Sequence, residues 1–434
     1  MKTERAKNNI PEGWKMTTLG KVAEVKHGFA FSGNNITDAE NENILLTPGN
    51  FLIGGGWKEG KKYFNGDIPN NYILAADDLI ITMTDLSKEG DTLGYPALIP
   101  YNPTKKFLHN QRIGIVIINE NFAIKKYIYF LMRFSGYQRF IVNTASGSTV
   151  KHTSPSKIKS YNFAMPPLLE QQAIAAVLSS LDDKIELLRE QNKTLEKVAQ
   201  AIFKRWFIDF EFPDKNGNLY KSSGGKMIES ELGDIPEGWR GEKITELFDF
   251  IKGVEPGADN YSKYKMSDNY IPFYRVQNIS GNGNNNMPDI FIEKSLSYGK
   301  IFEEDDILVS LDGTIGKVFI GGSGSYSSGI RKVVVNKTEI NQCLSYCFLK
   351  SDYFQNGLVL FSSGETTIKH AGKALENLKI AYSKDIFKKF SEITNPIFEK
   401  MVFNLKQIQT LSALRDSLLP RLMSGKIRVN GFGD

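Results

Sequence analysis

Two long stretches of the chain have apolar residues spaced alternately three and four positions apart, the pattern of a helix with one buried face. The first runs from 168 to 210 without a glycine or a proline, and the second lies within 383–429. Forty helical residues extend about 60 Å, so each stretch predicts a helix much longer than those of ordinary globular proteins. The buried face would include Leu181, Ile185, Leu188, Asn192, Leu195, Ile202 and Trp206 in the first stretch and Ile397, Met401, Ile408, Leu411, Leu418 and Leu422 in the second.

Polar residues and prolines interrupt this pattern. Asn192 and Asn404 occupy positions in the apolar seam, where a buried amide can set the register of a coiled coil, although a solvated kink explains them equally well. Pro396 and Pro420 predict breaks near the first turns and near the end of the second helix, because proline removes a helical hydrogen bond. An apolar seam must be covered by a partner, and the other seam of the same chain can serve as that partner. We therefore expect two antiparallel helices that form an intramolecular coiled coil.

The residues before each helical stretch follow a different pattern, rich in glycine, asparagine, proline and aromatic residues. Short apolar runs bounded by turn residues predict strands at 78–83, 113–118, 307–311 and 332–335, and helical patterns occur at 124–140 and 342–360. The fold class predicted is α/β, with mixed α+β globules at 1–165 and 235–382. Helical segments at 166–212 and 383–429 follow the globules, and the polar stretch 213–234 predicts a flexible linker.

The second half of the chain repeats the plan of the first. An identical pentapeptide stands at 10–14 and 235–239, and Gly28 then matches Gly253 at the same offset. Later matches keep the same order along the chain, which is hard to produce without duplication. They pair Thr92-Leu93-Gly94 with Thr314-Ile315-Gly316, and Gly147-Ser148-Thr149-Val150-Lys151-His152 with Gly364-Glu365-Thr366-Thr367-Ile368-Lys369-His370. We expect a pseudo-two-fold relation between the halves.

Composition narrows the class of protein. With 41% hydrophobic and 24% charged residues, the chain is neither mainly disordered nor collagen-like. No run approaches the roughly 18 apolar residues of a membrane helix, and no secretory signal is expected. Two cysteines exclude a disulfide framework and fit a reducing cytoplasm. The net charge is +6 for residues 1–165 but −3 for residues 214–383, so a polyanion partner is compatible but not required.

Motifs for catalysis are not found. The stretch 55–62 imitates a phosphate-binding loop, but Lys62 stands where the Mg²⁺-ligating Ser or Thr is needed. Cys343 and Cys347 lie four residues apart in a helical pattern without a second pair of ligands, which predicts buried packing rather than a metal site. We expect no catalytic residue, no metal and no cofactor in this chain. An independent nuclease or methyltransferase would require a cofactor motif that the sequence does not contain.

The repeated Lys-His pairs are the first candidates for binding DNA. Lys151 and Lys369 would meet phosphate, and His152 and His370 would hydrogen-bond phosphate or base edges. A loop-stabilising role for the two histidines is the alternative. The hydroxyl residues of the same two motifs complete this group, namely Ser148, Thr149, Thr366 and Thr367.

Other polar side chains recur about 20 residues after Gly28 and Gly253. Arginine, glutamine and asparagine can make paired hydrogen bonds to guanine or adenine, so we select Asn50, Arg275, Gln277 and Asn278. Asparagine in a glycine-rich loop is as often a turn residue. Arg112 and Arg331 each precede an apolar strand, where they would contact phosphate or protect a strand edge from aggregation.

The helical segments resemble those of a known family. The residues that carry the resemblance are Met165-Pro166-Pro167-Leu168-Leu169-Glu170-Gln171-Gln172, the first helix end at 201–210, and the ending Ser417-Leu418-Leu419-Pro420-Arg421-Leu422-Met423-Ser424-Gly425-Lys426-Ile427. They closely resemble the specificity subunit of type I restriction–modification systems, and the resemblance covers essentially the whole chain. The second copy departs from the pattern, with Tyr382-Ser383-Lys384-Asp385 where the first has its Pro-Pro entry.

The resemblance implies a function without catalysis by this chain. The globules at 1–165 and 235–382 would be target recognition domains, each reading one half of an asymmetric bipartite site in double-stranded DNA. The helices at 166–212 and 383–429 would form the spacer that sets the distance between the half-sites. They would also dock two adenine-N6 methyltransferase subunits that hold S-adenosylmethionine, and restriction (motor) subunits that use ATP and Mg²⁺ would join the complex. The alternative is a protein-binding scaffold with a coiled-coil rod and two interaction globules.

Overall fold

The structure is a computed structural model of the chain. It describes residues 10–85, 87, 90–279, 288, 290–362 and 369–429, and of Lys369 and His370 it describes the backbone. The chain divides into two compact units. Unit 1 comprises Met1–Asp183 and Leu411–Asp434, and unit 2 comprises Lys184–Thr410.

Unit 1 is built around an antiparallel four-stranded sheet. Its strands, in the order in which they pair, are Ala23–His27, Ile113–Ile118, Leu79–Thr82 and Pro96–Leu98. Both central strands are apolar runs, and Leu79–Thr82 is buried throughout, as a strand covered on both faces requires, whereas Ile113–Ile118 is buried over part of its length. A second, mixed sheet has the order Ile36–Thr37, Tyr63–Phe64, Asn43–Leu45, Lys106–Leu108 and Ile73–Leu74.

Short strand pairs and helices complete unit 1. Lys15–Thr18 pairs with Asn162–Met165, and Thr84–Asp85 pairs with Lys151–His152. The α-helices before the long one are Leu19–Val22, Lys125–Arg133, Ser135–Thr144 and Pro155–Lys159. The 3-10 turns are Gly33–Asn35, Pro48–Asn50 and Asn70–Tyr72.

Unit 2 has a core sheet with the same topology. Its strands, in pairing order, are Phe248–Lys252, Ile330–Val335, Ile307–Ser310 and Val318–Phe319. The second sheet has the order Phe291–Glu293, Tyr270–Tyr274, Gly324–Tyr326 and Ile301–Phe302. Strand pairs are Arg240–Lys243 with Lys379–Tyr382, Asp312–Gly313 with Lys369–His370, and Met227–Ser230 with Gly233–Pro236. The helices are Ile244–Leu247, Gln342–Lys350 and Asp352–Leu360, with 3-10 turns at Ala258–Asn260, Val276–Asn278, Lys294–Ser297 and Lys373–Asn377.

The internal repeat is confirmed by details of the backbone. A Cβ on Gly28 would lie 2.2 Å from the carbonyl oxygen of His109, and a Cβ on Gly253 would lie 2.2 Å from that of Tyr326. Both glycines therefore allow the first core strand to leave the sheet along a close backbone neighbour. The Trp14 amide donates to the Pro11 carbonyl at 3.0 Å, and the equivalent bond in unit 2 has the same length.

Each helical stretch predicted in the globules is a pair of helices instead of one. In unit 1 the break is at Phe134, whose backbone is extended. In unit 2 the break is at Ser351, whose hydroxyl accepts a hydrogen bond from the Phe354 amide at 3.3 Å and so begins the next helix. Cys343 and Cys347 are buried and unbridged in the first helix of that pair, packed in the core of unit 2.

The two long helices are continuous. Long helix 1 is Leu168–Phe207 and long helix 2 is Lys384–Met423. The breaks predicted at Pro396 and Pro420 are wrong. Both prolines lie on the exposed side, where the carbonyl groups that lose a helical hydrogen bond can turn to water, while the apolar seam continues past them.

The predicted antiparallel packing of the long helices is confirmed inside each unit. In unit 2 the amide of Asn404 donates to the Asn192 side-chain oxygen at 2.9 Å, and the Asn192 amide donates to the Met401 carbonyl at 3.0 Å. Asn404 is fully buried, which excludes a solvated kink there. The rings of Phe203 and Phe390 meet further along, at 6.0 Å between their centres.

In unit 1 the ends of the same helices form another antiparallel contact. Ile174 and Leu178 share a core cluster with Leu419 and Leu422. Beyond them the Arg415 guanidinium donates to a carboxylate oxygen of Asp182 at 2.8 Å. All the predicted seam residues are buried or half-buried, namely Leu181, Ile185, Leu188, Asn192, Leu195, Ile202, Trp206, Ile397, Met401, Ile408, Leu411, Leu418 and Leu422.

The segment 213–234, which we predict to be a flexible linker, contains regular structure and aromatic contacts. Met227–Ser230 pairs with Gly233–Pro236 as a hairpin. Before the hairpin, the ring of Phe212 stacks on Tyr220 at 4.7 Å and on Trp239 at 5.1 Å. These aromatic contacts attach the polar segment to the core of unit 2. Within the described ranges, no helix is long and apolar enough to span a bilayer.

Candidate nucleic-acid interface

Three segments of unit 1 meet at the repeated Lys-His pair. The strand Lys151–His152 pairs with Thr84–Asp85, and the Thr153 amide donates to the Met83 carbonyl at 3.0 Å. The Met83 amide in turn donates to the Arg112 carbonyl at 2.9 Å. These bonds hold the end of a core strand, the turn before Ile113–Ile118 and the Lys-His strand side by side.

These three segments and His27, the last residue of the strand Ala23–His27, surround a surface cavity of about 420 Å³. It is lined by His27, Met83, Thr84, Gln111, Arg112, His152 and Thr153. Among these lining residues none is acidic, and they include one arginine and two histidines. A concave surface lined by a guanidinium and two imidazoles, with no acidic residue in the lining, suits the phosphates and base edges of DNA.

His152 is exposed, and one of its ring nitrogens is engaged. Its Nδ1 lies 3.2 Å from the Thr84 hydroxyl. This contact orients the ring and leaves its other nitrogen for a partner outside the protein, because the two nitrogens of an imidazole bond separately. His109, by contrast, is buried, with Nε2 2.9 Å from the Ile113 carbonyl, and burial lowers its pKa. His109 therefore has a structural role.

Lys151 lies beside Asp85 in strand register without pairing with it. Burial opposes ionisation of Asp85, but hydrogen bonds from the Ser87 amide and from the amide and hydroxyl of Thr92 outweigh it and lower its pKa. The Asp85 carboxylate therefore accepts hydrogen bonds from nearby residues of its own segment, Ser87 and Thr92. Among the described residues, no acidic group pairs with the half-buried Lys151. Ser148 and Thr149 are exposed in the turn before it.

Two of the predicted DNA contacts are wrong. Asn50 and Asn278 are 0% and 4% exposed, and each side-chain oxygen closes a 3-10 turn by accepting an amide hydrogen bond. The donors are the Thr47 amide, at 2.8 Å, and the Arg275 amide, at 2.9 Å. Both asparagines are turn residues, which is the alternative to base recognition given above.

The remaining candidates of unit 2 have mixed surroundings. Gln277 is exposed, and the half-buried Arg275 has its guanidinium 6.0 Å from the ring centre of Tyr261. Lys369–His370 pairs with Asp312–Gly313, as Lys151–His152 does with its own partner strand. Thr366 and Thr367 lie outside the described residues.

Arg112 and Arg331 are not equivalent, although we predicted that both precede a strand. Arg112 lies in the turn before its strand and is exposed. Arg331 is the second residue of the strand Ile330–Val335, and its guanidinium donates to the carbonyls of Ser328 and Ile330. Burial lowers the pKa of Arg331, and Asp312 lies 3.9 Å away. Arg331 is therefore largely committed to the protein.

Five of the residues that line the cavity were not predicted from the sequence, namely His27, Met83, Thr84, Gln111 and Thr153. Two of them are adjacent in sequence to a predicted contact, since Gln111 precedes Arg112 and Thr153 follows His152. Extending each predicted contact to its neighbours in the sequence identifies these two residues.

Comparison with known proteins identifies the family. A family model described as the type I restriction modification DNA specificity domain matches residues 11–197 and 236–395. The chain belongs to this family.

Relatives of known name agree with this assignment. The MjaIX specificity subunit of a type I restriction enzyme from Methanocaldococcus jannaschii is 31% identical over 329 residues, which cover 72% of this chain and 71% of the relative. The HindI specificity subunit of Haemophilus influenzae is 24% identical, over 83% of this chain and 93% of the relative. A crystal structure of the type I restriction–modification S subunit from M. genitalium has a TM-score of 0.53 at 18% identity and covers 96% of this chain and 97% of its own, which supports the fold.

Proposed function

We propose that this specificity-family chain reads an asymmetric bipartite site in double-stranded DNA, one half with each globule. The observation that carries the proposal is that units 1 and 2 use one backbone arrangement with different surface side chains. Thr84 of unit 1 corresponds to Asp312 of unit 2 by strand register against the Lys-His pair. Unlike side chains on like backbones would select unlike half-sites, which makes the site asymmetric.

The long helices would form the spacer between the half-sites. Long helix 1 contributes residues to unit 1 up to Asp183 and to unit 2 from Lys184 without a break. A continuous helix resists bending far better than a loop, so its length is suited to set the number of unspecified base pairs.

The outer faces of the long helices would dock two adenine-N6 methyltransferase subunits. In unit 2, Leu187 and Val198 of long helix 1 are 52% and 44% exposed, and Phe403 of long helix 2 is 53% exposed. Leu187 and Val198 are eleven residues apart, about three turns, and so lie on the same side of the helix. These exposed apolar side chains would be available to a partner protein, whereas the seam residues are covered within the chain.

The reaction itself would belong to the partners. S-adenosylmethionine would be held by the methyltransferase subunits, and restriction (motor) subunits would use ATP and Mg²⁺. This chain would supply recognition and assembly, without catalytic residues and in the cytoplasm. The family to which the chain belongs supports this division.

Sequencing of methylated DNA tests the proposal. The chain is produced with its methyltransferase subunits in a host without adenine methylation, and modified adenines are mapped. We expect two short, unlike blocks separated by a constant number of unspecified base pairs. A single continuous or palindromic motif would contradict the proposal. The acidic charge of the second globule favours the scaffold alternative, and association with partners without any methylated motif would establish it.

A further inference from the structure

The turn before the central strand of the sheet occupies the same backbone position in both units. In unit 1 the Met83 amide donates to the Arg112 carbonyl, and in unit 2 the Leu311 amide donates to the Gly329 carbonyl, both at 2.9 Å. The neighbouring hydrogen bonds match as well, since the Thr153 amide donates to the Met83 carbonyl and the Ala371 amide donates to the Leu311 carbonyl. Gln111 and Arg112 therefore correspond to Ser328 and Gly329.

The side chains on this turn differ completely. Gln111 and Arg112 are exposed, and neither side chain has a hydrogen bond or ion pair with any residue that the structure describes. In unit 2, the Ser328 hydroxyl donates to a Glu255 carboxylate oxygen at 2.7 Å, and Gly329 has no side chain. The turn therefore presents two polar side chains that are unbonded within the described residues in unit 1, whereas the one polar side chain of the turn in unit 2 donates to Glu255.

Those two side chains have the chemistry of base recognition. A guanidinium can donate two parallel hydrogen bonds to O6 and N7 of guanine, and a carboxamide can pair with N6 and N7 of adenine. Both pairs of base atoms are accessible in the major groove of DNA. Arg112 and Gln111 also line the cavity in which no acidic group is found among the described lining residues, so the electronegative edge of guanine is not repelled there.

Lys151 and Arg112 would bind different parts of the DNA. Lys151 carries a point charge suited to phosphate, which gives affinity without sequence information. Arg112 carries a planar fork, which requires a partner with two acceptors in fixed positions. Lys151, which precedes the lining residue His152, would therefore contact the DNA backbone, and Arg112 in the lining would contact a base.

We propose that the turn Gln111–Arg112 is the base-reading element of unit 1, with Arg112 selecting a guanine and Gln111 an adenine in the first half-site. This inference rests on the proposed function, since it assumes that unit 1 reads DNA.

The test exchanges the turn of unit 1 for that of unit 2, as the double variant Gln111→Ser with Arg112→Gly. The backbone of unit 2 accepts these residues at the same position with the same hydrogen bond, so the fold of unit 1 should tolerate them. The complex of chain and methyltransferase subunits is incubated with a duplex library randomised in both half-sites, and the bound sequences are counted. Thermal unfolding of the variant confirms that it is folded.

We expect one guanine and one adenine position of the first half-site to lose selection, with the second half-site unchanged. Each lost paired contact should weaken binding of the original site about 10-fold to 100-fold. Arg139→Ala is the matched control, because Arg139 is an exposed arginine of unit 1 outside the cavity, and its selected sequence should equal that of the original chain.

The outcomes separate the two proposals. If the original complex selects a bipartite site and the exchanged turn selects the same bases, the base-reading role is overturned while the proposed function stands. A change in the second half-site instead of the first also overturns it. If the original complex selects no sequence, both proposals fall.

Discussion

Units 1 and 2 place a Lys-His strand against the same neighbour by the same hydrogen bonds, yet they surround it differently. Unit 1 has Thr84 beside its histidine, and unit 2 has Asp312 at the corresponding position. The turn glycine that follows is also shared, since Gly94 and Gly316 both have φ of 78°. Main-chain hydrogen bonds therefore maintain the shared backbone arrangement, whereas the side chains that face outward differ between the units without disturbing it.

The long helices show a second difference between the units. In unit 1 their polar contact is ionic, because Asp182 accepts hydrogen bonds from both Arg133 and Arg415. In unit 2 it is a neutral pair of amides, Asn192 and Asn404. A buried charge is harder to leave unpaired than a buried amide, so the two contacts should respond differently to truncation.

The largest effect is expected for Asp182→Ala. The side chains of Arg133 and Arg415 are only 6% and 16% exposed. Removal of the carboxylate leaves Arg133 without an ion-pair partner among the described residues, while Arg415 keeps its ion pair with Asp416. We expect a loss of about 3 kcal/mol or more in the free energy of unfolding of unit 1. Asn404→Ala in unit 2 should cost about 1–2 kcal/mol. Denaturant unfolding with hydrogen exchange assigns each loss to its unit.

Asp183→Ala is the control for this comparison, because Asp183 is an exposed neighbour of the same charge. It should leave stability within about 0.5 kcal/mol of the original. Equal losses for the ionic and the amide truncation would break the distinction between the two contacts.

A smaller effect is expected for Asp85→Asn, and only in unit 1. Gly313 occupies the corresponding position of unit 2. Because the folded protein lowers the pKa of Asp85, its ionised form stabilises unit 1 above the unfolded pKa of about 3.9, and this contribution is lost as the pH falls through the lower folded value. The variant should lose about 1 kcal/mol at neutral pH.

The measurement is hydrogen exchange of the Thr92 backbone amide, which donates a hydrogen bond to Asp85. The difference between variant and original should shrink as the pH falls below about 4. A difference that stays constant from neutral to acidic pH would show that the charge of Asp85 is not what closes the loop.

Much of the architecture could be predicted because its signals are local and sustained. The three-four spacing persists through both long helices, and the central strands are continuous apolar runs such as Ile113–Ile118. The error at Pro396 arose because a proline penalty of about 3 kcal/mol is local, whereas the seam on either side of it is long. The break at Ser351 had a signal, a serine before an acidic residue, which is a common helix start.

The candidate site was less predictable because its parts come from distant segments. His27, Thr84, Gln111 and His152 meet only through the folding of the sheet, and periodicity contains no information on that meeting. Repetition did point to the Lys-His pairs. It misled at Asn50 and Asn278, since a repeated asparagine can preserve a turn as readily as a contact.

The smallest effect is expected for substitution of the lysine in each Lys-His pair. Lys151→Ala and Lys369→Ala should each weaken DNA binding modestly and reduce the slope of log K against log salt by about 0.9, because one phosphate contact is lost from each unit. Neither variant should change the selected bases, since a lysine–phosphate contact has no sequence information. Binding of the complex to its methylated motif at a series of salt concentrations gives the slopes. Lys204→Ala, an exposed lysine paired with Asp209 on long helix 1, should leave the slope unchanged. A slope reduced by one lysine variant and not by the other would show that the shared frame does not give the two units the same contact with the DNA backbone.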